Sequence, residues 1–187
     1  MRIVAWTREA AGPRGRKWIR KFVEAWLWLM SWAPSHTLRI GALRIAGAKI
    51  GKDVSLGRGA RVLNPWTLSI GAHTMIGMRV TLDARAGLTI GQNCNISDDV
   101  TIWTAEHDIQ SPDFAMTIAP VAIGDRAWIC YRSIILAGAD IEEGSVVATG
   151  AVVTKSVPPY SVAAGVPARV LGKRTQNLSY QLGRSRL

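Results

Sequence analysis

An aliphatic side chain returns at every sixth position along most of this chain: Ile50, Leu56, Val62, then Ile70, Ile76, Leu82, then Ile90, Ile96, Ile102, then Ile123, Ile129, Ile135, Ile141, Val147 and Val153. Four residues after them stand small or β-branched ones, among them Val54, Ala60, Thr74, Val80, Val100, Ala127, Ser133, Ala139, Ser145 and Ala151. A period of six matches neither the helical 3.6 nor the 2 of a plain strand. It fits a short strand plus a corner, three times per turn, with one bulky and one small side chain pointing into a narrow prism. Each such turn is completed only by stacking on its neighbours, so the pattern predicts an all-β parallel solenoid.

Composition agrees with one domain built this way. The chain has 187 residues, is 48% hydrophobic and carries 18 glycines, enough for a single core and unlike a disordered basic tail. Cys94 and Cys130 fall inside repeats rather than in a disulfide spacing, and are read as reduced thiols of a cytoplasmic protein. Lysines and arginines exceed acids by 23 to 13, a net charge of +10. The excess sits at the ends: Arg2, Arg8, Arg14, Arg16, Lys17, Arg20 and Lys21 against Glu9 near the start, and Arg169, Lys173, Arg174, Arg184 and Arg186 near the finish. Basic ends on a near-neutral solenoid, without any helix-turn-helix, RNA-binding aromatic pair or zinc finger, argue against nucleic acid as a partner.

Ahead of the first repeat, Trp18, Phe22, Trp26 and Leu29, with Ile19, Val23 and Met30 beside them, follow helical spacing, and Arg16, Lys17, Arg20, Lys21 and Glu24 take the other side. Pro34 ends the pattern. The apolar stretch from 25 to 33 is less than half the ~20 residues a spanning helix needs, and charges at its start with no small-residue cleavage site do not suit a signal peptide. Two roles remain open for this amphipathic helix: a cap on the open end of the prism, and a seat on an anionic membrane face through residues 14–33. The chain thus divides into a basic, Trp-rich N-terminal cap (1–37), a solenoid domain (38–172) and a basic C-terminal tail (173–187).

Breaks in the rhythm carry the chemistry. Coils from Ile50 to Ile70 to Ile90 repeat every 20 residues, two beyond the ideal 18, with the surplus at Asn64-Pro65-Trp66 and Arg85-Ala86-Gly87. Between Ile102 and Ile123 the six-residue frame is lost and restarts, and the intervening stretch holds Trp103, Glu106, His107, Asp108 and Pro112. A polar loop extruded from a rigid scaffold is where a site belongs. Of the three histidines, His36 lies in the linker and His73 at an outward corner, both read as solvated. His107 stands in the extruded loop between two acids that would orient its ring or raise its basicity.

The repeats, the Thr104-x-x-His107-Asp108 loop, Ile123-Gly-Asp-x-Ala-Trp128-Ile, Val153-Thr154-Lys155-x-Val-Pro158-Pro159 and Ala164-Gly165-Val-Pro167-Ala-Arg169-Val resemble the hexapeptide-repeat acyltransferases, over about Leu38 to Lys173. The likeness is to the exopolysaccharide, colanic-acid O-acetyltransferase branch, which Asn64-Pro65-Trp66 also matches, and to galactoside and maltose acetyltransferases. It implies a left-handed β-helix, a homotrimer with active sites between prisms, and acetyl-CoA as acyl donor, with no metal. His107 is then the general base that activates a sugar hydroxyl. Trp128, Tyr131 and Thr149 would line the pantetheine arm, Thr154 and Lys155 would meet its polar groups, and Lys173 and Arg174 would pair with phosphate. Cys130 stands where the family carries glycine, and Tyr131 and Thr149 where small residues are common; this bulk leaves the size of the acyl group open. Asp83 and Trp103, each just past an inward aliphatic in adjacent coils, are candidate acceptor contacts together with Asp108.

A zinc carbonic anhydrase on this architecture would need three histidine ligands, which His73 and His107 do not supply. The expected activity is O-acetylation of a surface polysaccharide or lipid-linked glycan by a cytoplasmic enzyme, peripheral at the inner membrane face. An acetyltransferase for a small diffusible acceptor (an amino sugar, antibiotic or natural product) and a non-catalytic solenoid scaffold remain the alternatives.

Overall fold

The computed structural model describes residues 4–5 and 16–183. Arg2, Arg8, Arg14, Arg184 and Arg186 lie outside the described residues, and of Arg16 and Lys17 only the helical backbone is described.

Three parallel sheets form the faces of a prism. One stacks Lys49–Ile50, Leu68–Ile70, Leu88–Ile90 and Val121–Ile123, continued by bridges at Ile141 and Val157. The second stacks Ser55–Leu56, Met75–Ile76, Asn95–Ile96, Trp128–Ile129, Val146–Val147 and Ser161–Gly165. The third stacks Arg61–Leu63, Thr81–Asp83, Thr101–Ile102, Ile134–Ile135 and Val152–Val153. The pairing is in register with the repeat: Ile76 faces Ile96 and Leu82 faces Ile102. Every member of the sixfold series from Leu56 to Val153 is at most 5% exposed, and only Ile50, in the first coil, is half-buried.

Corners follow from the same frame. The third residue after an inward aliphatic turns left-handed, at His73, Arg79, Asn93, Asp99, Arg126 and Arg132 as well as at glycines. A glycine just after the aliphatic answers a different need: a Cβ on Gly57 would lie 2.3 Å from the backbone of Gly77 in the coil above. The coils stack too closely there for any side chain.

Two helices, where the sequence pattern predicted one, close the N-terminal end. Helix α1 (Arg16–Met30) packs on Arg61–Leu63, turning Val23, Leu27 and Met30 inward. Helix α2 (His36–Ile45) starts at Ser35, whose hydroxyl accepts from Thr37 N at 3.2 Å, and buries Ile40, Ala42 and Leu43 against the first coil. The solenoid therefore begins at Lys49 rather than at 38. Arg39 is buried with them; its Nε donates to Leu56 O at 2.8 Å and its guanidinium also to Ala33 O. Of the stripe read from the sequence, Trp26 packs against the core, whereas Trp18, Phe22 and Leu29 face outward.

At the other end Ala168–Lys173 returns antiparallel on Ser161–Gly165. The tail then runs back along one corner of the prism. Tyr180 Oη donates to Arg126 O (2.9 Å), Leu182 N to Asn93 Oδ1 (3.1 Å) and Gln181 Nε2 to His73 Nε2 (2.8 Å). His73 is thus covered, with its Nδ1 3.6 Å from Asp53 Oδ2, rather than a solvated corner. No described helix is long and apolar enough to cross a membrane.

Candidate active site

The break after Ile102 is a β-hairpin. Ala105–His107 pairs antiparallel with Met116–Ile118, and the strand Val4–Ala5 adds to the outer edge. Its root is a buried polar knot. Asp83, which the alternation of the strand directs outward, is fully buried because the hairpin base covers it. One carboxylate oxygen accepts from Arg85 N (3.0 Å) and Nε (2.9 Å), the other from an Arg85 guanidinium nitrogen (3.0 Å) and from Thr104 N (3.0 Å). Thr104, equally buried, accepts from Ala86 N at 3.1 Å and, through its carbonyl, from Ala119 N at 3.0 Å. The near end of the extruded segment is therefore tied to the coil below, and the far end is tied to the near end and, through Val121 N to Gly87 O at 3.2 Å, to that same coil. Trp103 sits in the next coil, as its register requires, half-buried with the Arg85 guanidinium 6.0 Å from its ring. Asp83 was expected to present its carboxylate to a cleft; with four donors already on it, it holds the hairpin instead.

At the hairpin tip, Asp108 Oδ1 accepts from Gln110 N (2.8 Å), Ala115 N donates to Ser111 Oγ (3.1 Å), and Ser111 Oγ bonds Asp113. These local bonds turn the chain so that Phe114 lands back on His107. The rings stack with centroids 3.9 Å apart and planes 10° from parallel. His107 Nδ1 lies 2.8 Å from Phe114 O. A carbonyl can only accept, so Nδ1 carries a proton, and in the neutral tautomer Nε2 is the nitrogen with the free lone pair. The flanking acids were expected to orient the ring; the Phe114 carbonyl and ring do so.

On the second face Trp128 and Tyr131 stand beside a groove of about 390 Å³ lined by Met75, Asn95, Ser97, Asp98 and Tyr131. Trp128 Nε1 donates to Ser97 Oγ at 3.4 Å, leaning the indole along this face, and the Arg132 guanidinium lies 5.0 Å from the Tyr131 ring. Thr149 follows one coil higher, where Gly150 N donates to Tyr131 O at 2.9 Å. Thr154 and Lys155 are exposed at the next corner. Lys173 is exposed and donates to Ser161 Oγ at 3.0 Å. Arg174 is committed differently: it donates to Arg126 O and Gly144 O, both at 3.2 Å, and its guanidinium lies 5.7 Å from the Tyr180 ring.

Neither thiol is built as a nucleophile. Burial pushes Cys94 up to about 11, and its Sγ donates to Gly124 O at 3.1 Å; burial raises Cys130 as well. Among the described residues no group of three or more His, Cys, Asp or Glu side chains gathers as a metal site. Sequence reasoning missed Arg85, Ser97 and Phe114. The i, i+2 pair Asp83-x-Arg85 was a signal for the first, but nothing local to Phe114 announces that it folds onto a histidine seven residues back.

Three parallel faces interrupted by one extruded hairpin are the architecture this chain shares with solved left-handed β-helix acetyltransferases. The maltose O-acetyltransferase of Clostridium difficile 630 shares the fold at a TM-score of 0.81, over 93% of this chain and 94% of that one, with 24% identity. Residues 67–102 and 120–155 match the family model described as the hexapeptide repeat of succinyl-transferase. The protein of Escherichia coli K12 named as a colanic acid biosynthesis acetyltransferase, WcaF, is 33% identical over 150 residues, covering 79% of this chain and 82% of its own. This chain belongs to the hexapeptide-repeat acetyltransferase family. A further member, the hexapeptide-repeat acetyltransferase of Vibrio cholerae O1 biovar eltor solved in complex with acetyl coenzyme A, is 26% identical with a TM-score of 0.81 over 89% of this chain and 92% of that one.

Proposed function

We propose that this acetyltransferase moves the acetyl group of acetyl-CoA onto a sugar hydroxyl of a surface polysaccharide or lipid-linked glycan, with His107 as general base. The observation that carries the reading is the 2.8 Å contact between His107 Nδ1 and the Phe114 carbonyl, which selects the tautomer whose Nε2 is the basic nitrogen, on an exposed hairpin. Acetyl-CoA supplies an activated thioester. His107 Nε2 takes the hydroxyl proton as the acceptor oxygen bonds the acetyl carbon, and hands it to the departing thiolate, so the products are an O-acetyl sugar and free coenzyme A. Transfer is direct, since Cys94 is buried and Cys130, half-buried, also has its thiol raised by burial, so neither offers an acyl-enzyme route.

The groove beside Trp128, Tyr131 and Thr149 suits a long, neutral, amide-bearing arm, with Thr154 and Lys155 on its course and Lys173 and Arg174 near the anionic end. Trp103 and Asp108 meet the acceptor, and Asp83 acts behind them by fixing the hairpin. In this reading the enzyme is a homotrimer, in which the exposed hairpin of one prism faces the groove of another, and residues 14–33 hold it peripherally at the inner face of a membrane.

The test is His107→Ala in the purified full-length protein, with acetyl-CoA and a panel of glycan acceptors followed by mass spectrometry. Loss of about 10² to 10⁴ in turnover with unchanged acetyl-CoA binding is expected. Undiminished turnover removes the histidine from the mechanism, and a wild-type protein that neither binds acetyl-CoA nor transfers leaves only the scaffold reading.

A further inference from the structure

Helix α1 is apolar on two opposite sides. Val23, Trp26, Leu27 and Met30 form the side spent on the solenoid. Trp18, Phe22, Ala25 and Leu29, at i, i+4, i+7 and i+11, form a second stripe that turns away from it. Trp18 is 78% exposed, Phe22 73% and Leu29 65%, and Ile19 and Trp28 flank them, also exposed. A contiguous apolar patch of this kind on a single helix marks a contact surface.

The charge that the helix and the residues before it carry in sequence selects the partner. Residues 1–22 hold seven basic residues and one acid, and Lys21 stands beside the stripe with its Nζ 5.5 Å from the Trp18 ring. Two copies meeting through this helix would bring like charges together, and an apolar groove on a basic partner would do the same. Tryptophan and phenylalanine bordered by lysine and arginine suit the boundary between headgroups and acyl chains, where indoles bury their rings and cations meet phosphate. The helix is too short to cross, so it lies in the plane of the surface.

We infer that the outer stripe of α1, centred on Trp18, Phe22 and Leu29, docks the enzyme onto an anionic lipid bilayer. This gives the membrane contact of the proposed function a defined surface and a lipid chemistry, and it rests on that reading.

The experiment is flotation of the full-length protein with vesicles of phosphatidylcholine alone and of phosphatidylcholine mixed with phosphatidylglycerol. Wild type is expected to float with the mixed vesicles and not with the neutral ones. The triple variant W18S/F22S/L29S should lose at least about tenfold in partitioning, and Lys21→Gln about fivefold. Leu171→Ser, an exposed apolar residue at the other end of the prism, should bind as wild type does. Transfer to a soluble acceptor should be unchanged in the triple variant, which separates a failure of docking from a failure of the catalytic reading. Equal flotation on neutral and anionic vesicles, or full binding by the triple variant, overturns the inference. So does a change of oligomeric state in the triple variant, since the stripe would then be covered by another copy.

Discussion

Replacing Asp83 by leucine tests whether the buried carboxylate is an anchor or an acceptor ligand. The substitution leaves Thr104 N, fully buried, without its acceptor, and frees an Arg85 guanidinium that has two of its donors on Asp83. Breaking a buried pair by removing one partner costs about 3–5 kcal/mol. The Arg85 side chain is one-third exposed and regains water, so the lower figure applies, about 3 kcal/mol. For a domain of this size that lowers Tm by about 6–12 °C. Arg85→Met should cost more, because it strands a carboxylate with no access to solvent. The double variant D83L/R85M removes both charges together and should recover most of the loss, which a double-mutant cycle in urea reads as coupling. Turnover should fall with the stability of the hairpin, while KM for the acceptor stays near wild type. A D83L protein as stable as wild type, with acceptor KM raised and kcat kept, would refute the anchoring argument and return Asp83 to the acceptor site.

Phe114→Ala removes the ring stacked on His107 while keeping the Phe114 carbonyl that fixes the tautomer. The loss of one aromatic pair, about 0.5–1.5 kcal/mol, should lower kcat by about two- to twelvefold, and a pH–rate profile unchanged in shape would confirm positioning. In native protein at pH 8, Cys94 should resist thiol reagents, since a group at about 11 is ionised only about one part in a thousand there and is fully buried; it should titrate once guanidinium unfolds the chain. Gly57→Ala should destabilise by about 1–3 kcal/mol in thermal melts because its Cβ meets backbone in the next coil, whereas Gly172→Ala, which meets nothing, should be near neutral.

The fold was legible because one constraint repeats. A prism wide enough for a single Ile or Leu per face forces that side chain into every sixth position, and fourteen of the fifteen in the series are buried as the period demands. The extruded segment was legible as a loss of that frame, and His107 as the histidine inside it. What escaped prediction depends on contacts between segments far apart in sequence. Asp83 reads as an outward residue until the root of the hairpin closes over it, and His73 reads as a corner until residues 180–183 return along the prism. Helix α2 is short and has Gly41 in its interior, so its propensity is weak and its stability comes from burying Ile40 and Leu43. The direction of α1 was ambiguous for a simple reason: an apolar stripe on each side gives periodicity no means of choosing which one faces the coils.

Coils that touch only their neighbours behave as a linear array, and such arrays fray from the ends. The polypeptide after Lys173 removes that freedom. It leaves the last coil beside Gly144 and is fastened in turn at Arg126, Asn93 and His73, reaching Asp53 in the first coil. It acts as a tie-rod along the outside of the stack: loosening the top course of the prism pulls on the bottom one. A module assembled from repeats thereby unfolds as one body, and the hairpin in its middle keeps a rigid footing from both directions.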